Sequence, residues 1–126
     1  MPKTIPEVAG VPAPFGPYSV VTEANGFVFV SGQVAIDPVT QERVTGGIED
    51  QTHQAMRNLG AVLRGVGLDY DDIVKTTLFL ADMADYPTVN EIYSEYVGEA
   101  RPARSTIQAA ALPGGFLFEI DAVAAR

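Results

Sequence analysis

The 126-residue sequence predicts an α+β fold: a mixed β-sheet with two helices on one face, in the order β-β-α-β-α-β-β. Three observations predict it. Runs rich in β-branched and aromatic residues alternate with two segments of helical period. Asn25-Gly26, between the first two runs, is a hairpin signal because both residues accept positive φ. Each helical segment is followed by a further strand run, so crossovers mix parallel with antiparallel neighbours.

The leader carries Pro2, Pro6, Pro12, Pro14 and Pro17 and reads as irregular or extended. Residues 18–23 then read as a strand. Residues 27–34, Phe-Val-Phe-Val-Ser-Gly-Gln-Val, form a second with little alternation, which suits a strand covered on both faces. Asp37-Pro38 starts a turn, and Gly46-Gly47 ends the loop. From residue 48 to 66 the apolar positions Ile48, Ala55, Met56, Leu59, Leu63 and Val66 share an arc of about 120°. Glu49 and Asp50 sit where a helix N-terminus favours anions, and Gly65 and Gly67 mark the stop.

Residues 72–80 read as the third strand. Residues 87–97 read as the second helix, with proline in its first turn and Gly98 beyond its end. Its stripe is Val89, Ile92, Tyr93, Tyr96 and Val97, with Asn90 at the edge. Two strands over 106–112 and 116–123, separated by Pro113-Gly114-Gly115, complete the order. Helices on one face leave the apolar side chains of the other uncovered, which predicts an oligomer.

Composition bounds the function. At 126 residues the chain is one domain, able to bury about two thirds of its unfolded surface. No apolar run reaches transmembrane length, and the N-terminus lacks the apolar core of a signal peptide, so a cytoplasmic location is expected. Zero cysteines exclude disulfides, thiolate nucleophiles and thiolate metal sites. A net charge of −8, from eight basic and sixteen acidic residues, disfavours nucleic acid as a partner.

Two charged residues stand out inside strand-like runs. Arg104 lies in Arg101-Pro102-Ala103-Arg104-Ser105-Thr106, and Glu119 in Phe118-Glu119-Ile120. A charge among buried neighbours costs several kcal/mol unless paired or used. Arg104 is either a solvent-facing cap at a strand start or a grip for a carboxylate, which its planar fork matches. Glu119 shares a face with Leu117, Asp121 and Val123; it is either solvent-facing or a half-buried general acid/base. Periodicity does not choose between them. His53 falls outside the apolar arc and reads as a rim residue; with no second histidine there is no zinc site or histidine triad. Gly32 reads as a close backbone approach or a bulge, and Tyr18 as an aromatic with its hydroxyl at a rim.

Taken together, these segments resemble the RidA/YjgF family of enamine/imine deaminases. The resemblance runs through Gly16-Pro17-Tyr18-Ser19, Phe29-Val30-Ser31-Gly32-Gln33 and Val74-Lys75-Thr76-Thr77. It continues through Val89-Asn90-Glu91-Ile92-Tyr93, Pro102-Ala103-Arg104-Ser105 and Glu119-Ile120, covering nearly the whole chain in order. It implies a chorismate-mutase-like protomer, a homotrimer with sites between subunits, and no cofactor. It also implies hydrolysis of 2-imino acids, such as 2-iminopropanoate and 2-iminobutanoate, to 2-keto acids and ammonia. Such imines arise from pyridoxal-phosphate enzymes, so the implied role is control of metabolite damage.

By the same resemblance Arg104 holds the substrate carboxylate and Glu119 moves the protons. Tyr18 and Asn90 shape the pocket, Gly32 lets the backbone approach, and the backbone around Thr106 bonds the substrate. Many family members carry cysteine where this chain has Thr106, so no thiolate forms there. Many also read Tyr-Ser-Gln-Ala where this chain has Tyr18-Ser19-Val20-Val21, which makes the pocket rim more apolar. Three alternatives stand beside this reading: deamination of a larger enamine acid, non-catalytic binding of small carboxylates, and RNA cleavage, which the acidic balance disfavours.

Overall fold

The structure is a computed structural model and describes residues 2–126. Its elements run β1 (Val21–Ala24), β2 (Phe27–Gln33), α1 (Ile48–Gly65), β3 (Ile73–Leu80), α2 (Tyr86–Val97), β4 (Ala103–Gln108) and β5 (Phe118–Ala125). The five strands form one sheet in the order β1-β2-β5-β3-β4. Only β3 and β4 are parallel, and α2 is the crossover that parallel neighbours require. The mixed sheet and the element order are those expected from the sequence.

The hairpin forms because Asn25 (φ 53°) and Gly26 (φ 80°) both take the left-handed conformation that a two-residue turn between twisted strands needs. In β5 the alternation is complete. Phe118, Ile120, Ala122 and Ala124 are buried, while Glu119, Asp121, Val123 and Ala125 face the other way. The buried set meets Val28 and Val30 of β2, Leu78 and Leu80 of β3, and the α1 stripe of Met56, Leu59 and Leu63. Both helices pack on this face: α1 lies on β2 and β5, and the Tyr93 hydroxyl of α2 bonds Thr76 of β3 at 2.8 Å. No helix of the described residues is long and apolar enough to cross a membrane.

The opposite face carries Phe27, Phe29 and Ile107 exposed. A second small cluster, Ala35, Ile36, Leu112 and Phe116 with Phe79, covers only one end of that face. Asn58 connects the two layers. It is fully buried on α1, donates to the carbonyls of Val34 (3.0 Å) and Ile36 (2.8 Å), and accepts from Gln54. The chain after β2 is thereby tied to the helix.

Three strands differ from the sequence reading by more than one residue. The first strand starts at Val21, not residue 18, because Tyr18 N–H bonds back to the Gly16 carbonyl (2.8 Å) and bends the chain there. The fourth spans Ala103–Gln108 rather than 106–112, because its ladder is set by β3. Lys75 to Leu80 pair with Ala103 to Gln108, and where β3 ends Ala109 N–H makes the last bond, to Leu80 O. Arg104 therefore lies inside a strand and not ahead of one. The fifth spans Phe118–Ala125, since Pro113 to Gly115 form a 3-10 turn and Leu117 N–H is taken by the Gln51 side chain.

Removing the Asn58 amide strands the buried Ile36 carbonyl, while the Val34 carbonyl keeps the Ile36 N–H at 2.8 Å. Asn58→Ala is expected to lower unfolding free energy by about 1–3 kcal/mol, the cost of one unpaired buried group. Urea denaturation checks it; a loss within error of zero means the loop carries its own hydrogen bonds.

Candidate active site

Glu119 stands on the open face of the central strand, opposite Phe79 of β3. Its other neighbour is β2, where the register slips between Val30 and Gln33. Gly32 occupies that irregularity. A Cβ on Gly32 would lie 2.8 Å from Glu119 Cδ and closer still to Oε2, so only glycine lets the carboxyl rest against the backbone. Burial raises the Glu119 pKa above its ordinary value, and the neighbouring negative charge of Asp121 adds to the effect. A carboxyl so placed holds its proton longer than a solvated one, which suits a group that must both take and return a proton.

Around Glu119 opens a cleft of about 520 Å³. The proline-rich leader from Pro12 to Tyr18 forms one wall, with Val20, Phe116 and the Ser31–Val34 backbone completing it. Tyr18 holds the leader in place, its phenolic oxygen accepting from Phe15 N–H at 3.2 Å. The lining is mostly apolar, with Glu119 the one ionisable carboxyl in it. Tyr18, Gly32 and Glu119 thus form one group.

Arg104 belongs to a second. Its partner in the parallel ladder is Thr76, a residue buried beneath the helices, so the guanidinium projects to the helical side at the sheet edge. There it donates to Asn90 Oδ1 at 2.7 Å and to the Tyr86 hydroxyl at 2.6 Å. Its Cζ lies 5.1 Å from the Tyr93 ring centre and 5.5 Å from that of Tyr86. These partners are neutral. Among the described residues Arg104 makes no salt bridge; the two that form are Arg64–Asp69 and Arg126–Glu23. Thr106, two residues further along the same side of β4, carries a buried hydroxyl with no hydrogen-bond partner. An oriented, uncompensated guanidinium beside an unpaired hydroxyl has the donors to receive a small anion.

The structure brings Arg104, Asn90 and Thr106 together, and separately Tyr18, Gly32 and Glu119. It does not join the two sets within one chain. Arg104 shares its side of the sheet with Thr76, whereas Glu119 pairs with Phe79, one position out of phase and therefore on the opposite side. His53 takes no part: Nδ1 bonds the Tyr96 hydroxyl at 2.7 Å between the helices. Among the described residues no three His, Cys, Asp or Glu side chains cluster to hold a metal ion.

Tyr86 and Phe116 are site residues that sequence reasoning missed. Tyr86 had a usable signal, since it stands one helical turn before Asn90 and shares its face. Phe116 and the leader ahead of Gly16 had none, because a wall made by loops has no periodicity.

A family model described as endoribonuclease L-PSP matches residues 9–126. The chain belongs to this family, RidA/YjgF. The mouse 2-iminobutanoate/2-iminopropanoate deaminase is 45% identical over 115 residues, covering 91% of this chain and 85% of that one. A solved Rid-family protein from Yersinia pestis superposes with a TM-score of 0.95 at 40% identity, covering 99% of this chain and 100% of that one. Escherichia coli TdcF, solved with bound serine, is 35% identical with a TM-score of 0.90, covering 98% of each chain. The RidA-like fold expected from the sequence motifs is thus the fold observed.

Gly32→Ala is expected to push the Glu119 carboxyl off the backbone into the cleft and lower its pKa toward the ordinary value, with a stability loss of less than about 1 kcal/mol because the flexible end of Glu119 can turn away. Denaturant unfolding together with NMR titration of the Glu119 carboxyl checks this. Unchanged stability with an unchanged titration midpoint would show that the missing Cβ does not hold the carboxyl in place.

Proposed function

We propose that the protein hydrolyses 2-imino acids and their enamine tautomers, such as 2-iminopropanoate and 2-iminobutanoate, to 2-keto acids and ammonia. The observation that carries this is the uncompensated, pre-oriented Arg104 guanidinium, matched by a half-buried carboxyl of raised pKa at Glu119. The names of the mouse and human relatives as imine deaminases support it, as does the serine bound to the Escherichia coli relative, an amino acid of similar size.

The two half-sites meet when a second copy of the chain sets its Arg104 edge beside the Glu119 cleft of the first. A cyclic homotrimer does this three times and also covers the exposed Phe27, Phe29 and Ile107. In each cleft Arg104 of one copy holds the substrate carboxylate, with Asn90 keeping the guanidinium in plane and the Thr106 segment bonding the substrate. Glu119 of the neighbour, flanked by Tyr18 and the Gly32 backbone, takes a proton from water. The oxygen adds to C2 of the imine as the C=N π electrons move to nitrogen. Glu119 returns that proton to nitrogen, giving the carbinolamine; it then carries the hydroxyl proton to the amine, the C=O bond forms as the C–N bond breaks, and ammonia leaves with the 2-keto acid. An imine carbon is already electrophilic, so positioning and proton transfer are sufficient. A cytoplasmic setting, among the enzymes that release such imines, completes the proposal.

Release of ammonia and pyruvate from freshly generated 2-aminoacrylate is the primary test. Wild type is expected to accelerate it, and Arg104→Ala to lose the acceleration while keeping its melting temperature; normal turnover by that variant sinks the carboxylate grip. Assembly has its own readout. Co-folding equal amounts of Arg104→Ala and Glu119→Gln, each inactive alone, should restore about a quarter of the wild-type rate through hybrid sites. A mixture that stays inactive rejects the shared site.

The pH profile gives a third test. Glu119 must be ionised to act as base, so its raised pKa places the acid limb of kcat/KM above the ordinary carboxylate range. Asp121→Asn removes the neighbouring negative charge, and the limb should move to lower pH. A limb that stays put assigns the proton transfer to another group.

A further inference from the structure

Tyr86 is the first residue of α2, and no role for it follows from the strand pattern or from the family motifs. Its ring packs against the core, while its hydroxyl meets Arg104 Nη2 at 2.6 Å. A guanidinium only donates, so the phenolic oxygen accepts and the phenol keeps its own proton. Among the described residues that hydroxyl makes no other hydrogen bond.

Its neighbours on α2 behave differently. The Tyr93 hydroxyl is bonded to Thr76 in the interior, and the Tyr96 hydroxyl to His53 between the helices. Both are committed to the fold. Tyr86 alone of the three turns its hydroxyl to the unpaired cation. Asn90 holds Nη1 while Tyr86 holds Nη2, so both terminal nitrogens are fixed before any ligand arrives. A guanidinium locked at both tips loses little rotamer freedom on binding.

We propose that Tyr86 is a binding and positioning residue of the carboxylate subsite. Its oxygen fixes Arg104, and its free O–H donates to the carboxylate that Arg104 holds. The subsite is then a three-part receptor for one planar anion, made of guanidinium, phenol and the Asn90 amide that steers the guanidinium. This rests on the reading of Arg104 as a carboxylate grip.

The test compares wild type, Tyr86→Phe and Tyr96→Phe. For each, KM and kcat are measured for 2-iminopropanoate generated in situ, and Kd for pyruvate by calorimetry. Tyr86→Phe keeps the ring and is expected to raise KM and the pyruvate Kd about ten- to hundredfold, the size of one lost hydrogen bond to a charged group. Its kcat should stay within about twofold, since the grip is alike in ground and transition states. Tyr96→Phe should leave KM and Kd at wild-type values. Unchanged KM and Kd in Tyr86→Phe overturn the proposal. So does an equal weakening in Tyr96→Phe, which would place the effect in the helix as a whole. If wild type binds pyruvate yet releases no ammonia, deamination is rejected and the Kd comparison alone decides the subsite. If wild type neither binds nor turns over, both readings fall.

Discussion

β5 is hydrogen-bonded on both sides, and its period-two alternation admits one register. Slipped by one residue, it would drive Glu119 and Asp121 under the helices and turn Phe118 and Ile120 out to solvent. Desolvating two carboxylates while exposing two large apolar side chains costs far more than any gain available to the slipped state. The burial that secures the core therefore also decides where Glu119 stands. Fold and chemistry draw on the same residues of the same strand.

The remaining features refine that placement. The irregularity in β2 brings Gly32 beneath the Glu119 carboxyl, where a backbone without Cβ is the one surface that fits. Gln51 and Asn58, both buried polar residues of α1, hold Leu117 at the entry to β5 and the Val34–Ile36 chain beyond β2. The cleft is thus braced from the helical layer on both flanks. At the far edge, β4 is held in register by β3 alone, which leaves Arg104 and Thr106 at a boundary with no strand beyond them. Although the chain has a net charge of −8, this cation has no carboxylate partner among the described residues. That separation preserves its attraction for an anion from outside.

Much of this was legible beforehand. Asn25-Gly26 named its hairpin because few other residues take positive φ twice in succession. The α1 stripe named its helix because eighteen residues give the period room to declare itself. Arg104 and Glu119 stood out because charge inside an apolar run is costly and therefore informative. The strand ends were less legible. Whether β4 stops at Gln108 or Leu112 depends on where β3 ends, and that is a property of the partner strand. The wall built by Pro12 to Phe15 and Phe116 left no trace in local pattern, since it exists only after the leader crosses the mouth of the cleft.

The sequence by itself determined the elements, their order, the mixed sheet and the two charges worth following, because each rests on interactions between residues near in the chain. Tertiary structure decided how those charges are deployed. Arg104 faces the helical side, fixed by Asn90 and Tyr86, and Glu119 faces the open side against Gly32. What a side chain meets on its face follows from pairing across the sheet, a long-range relation that short-range periodicity does not encode.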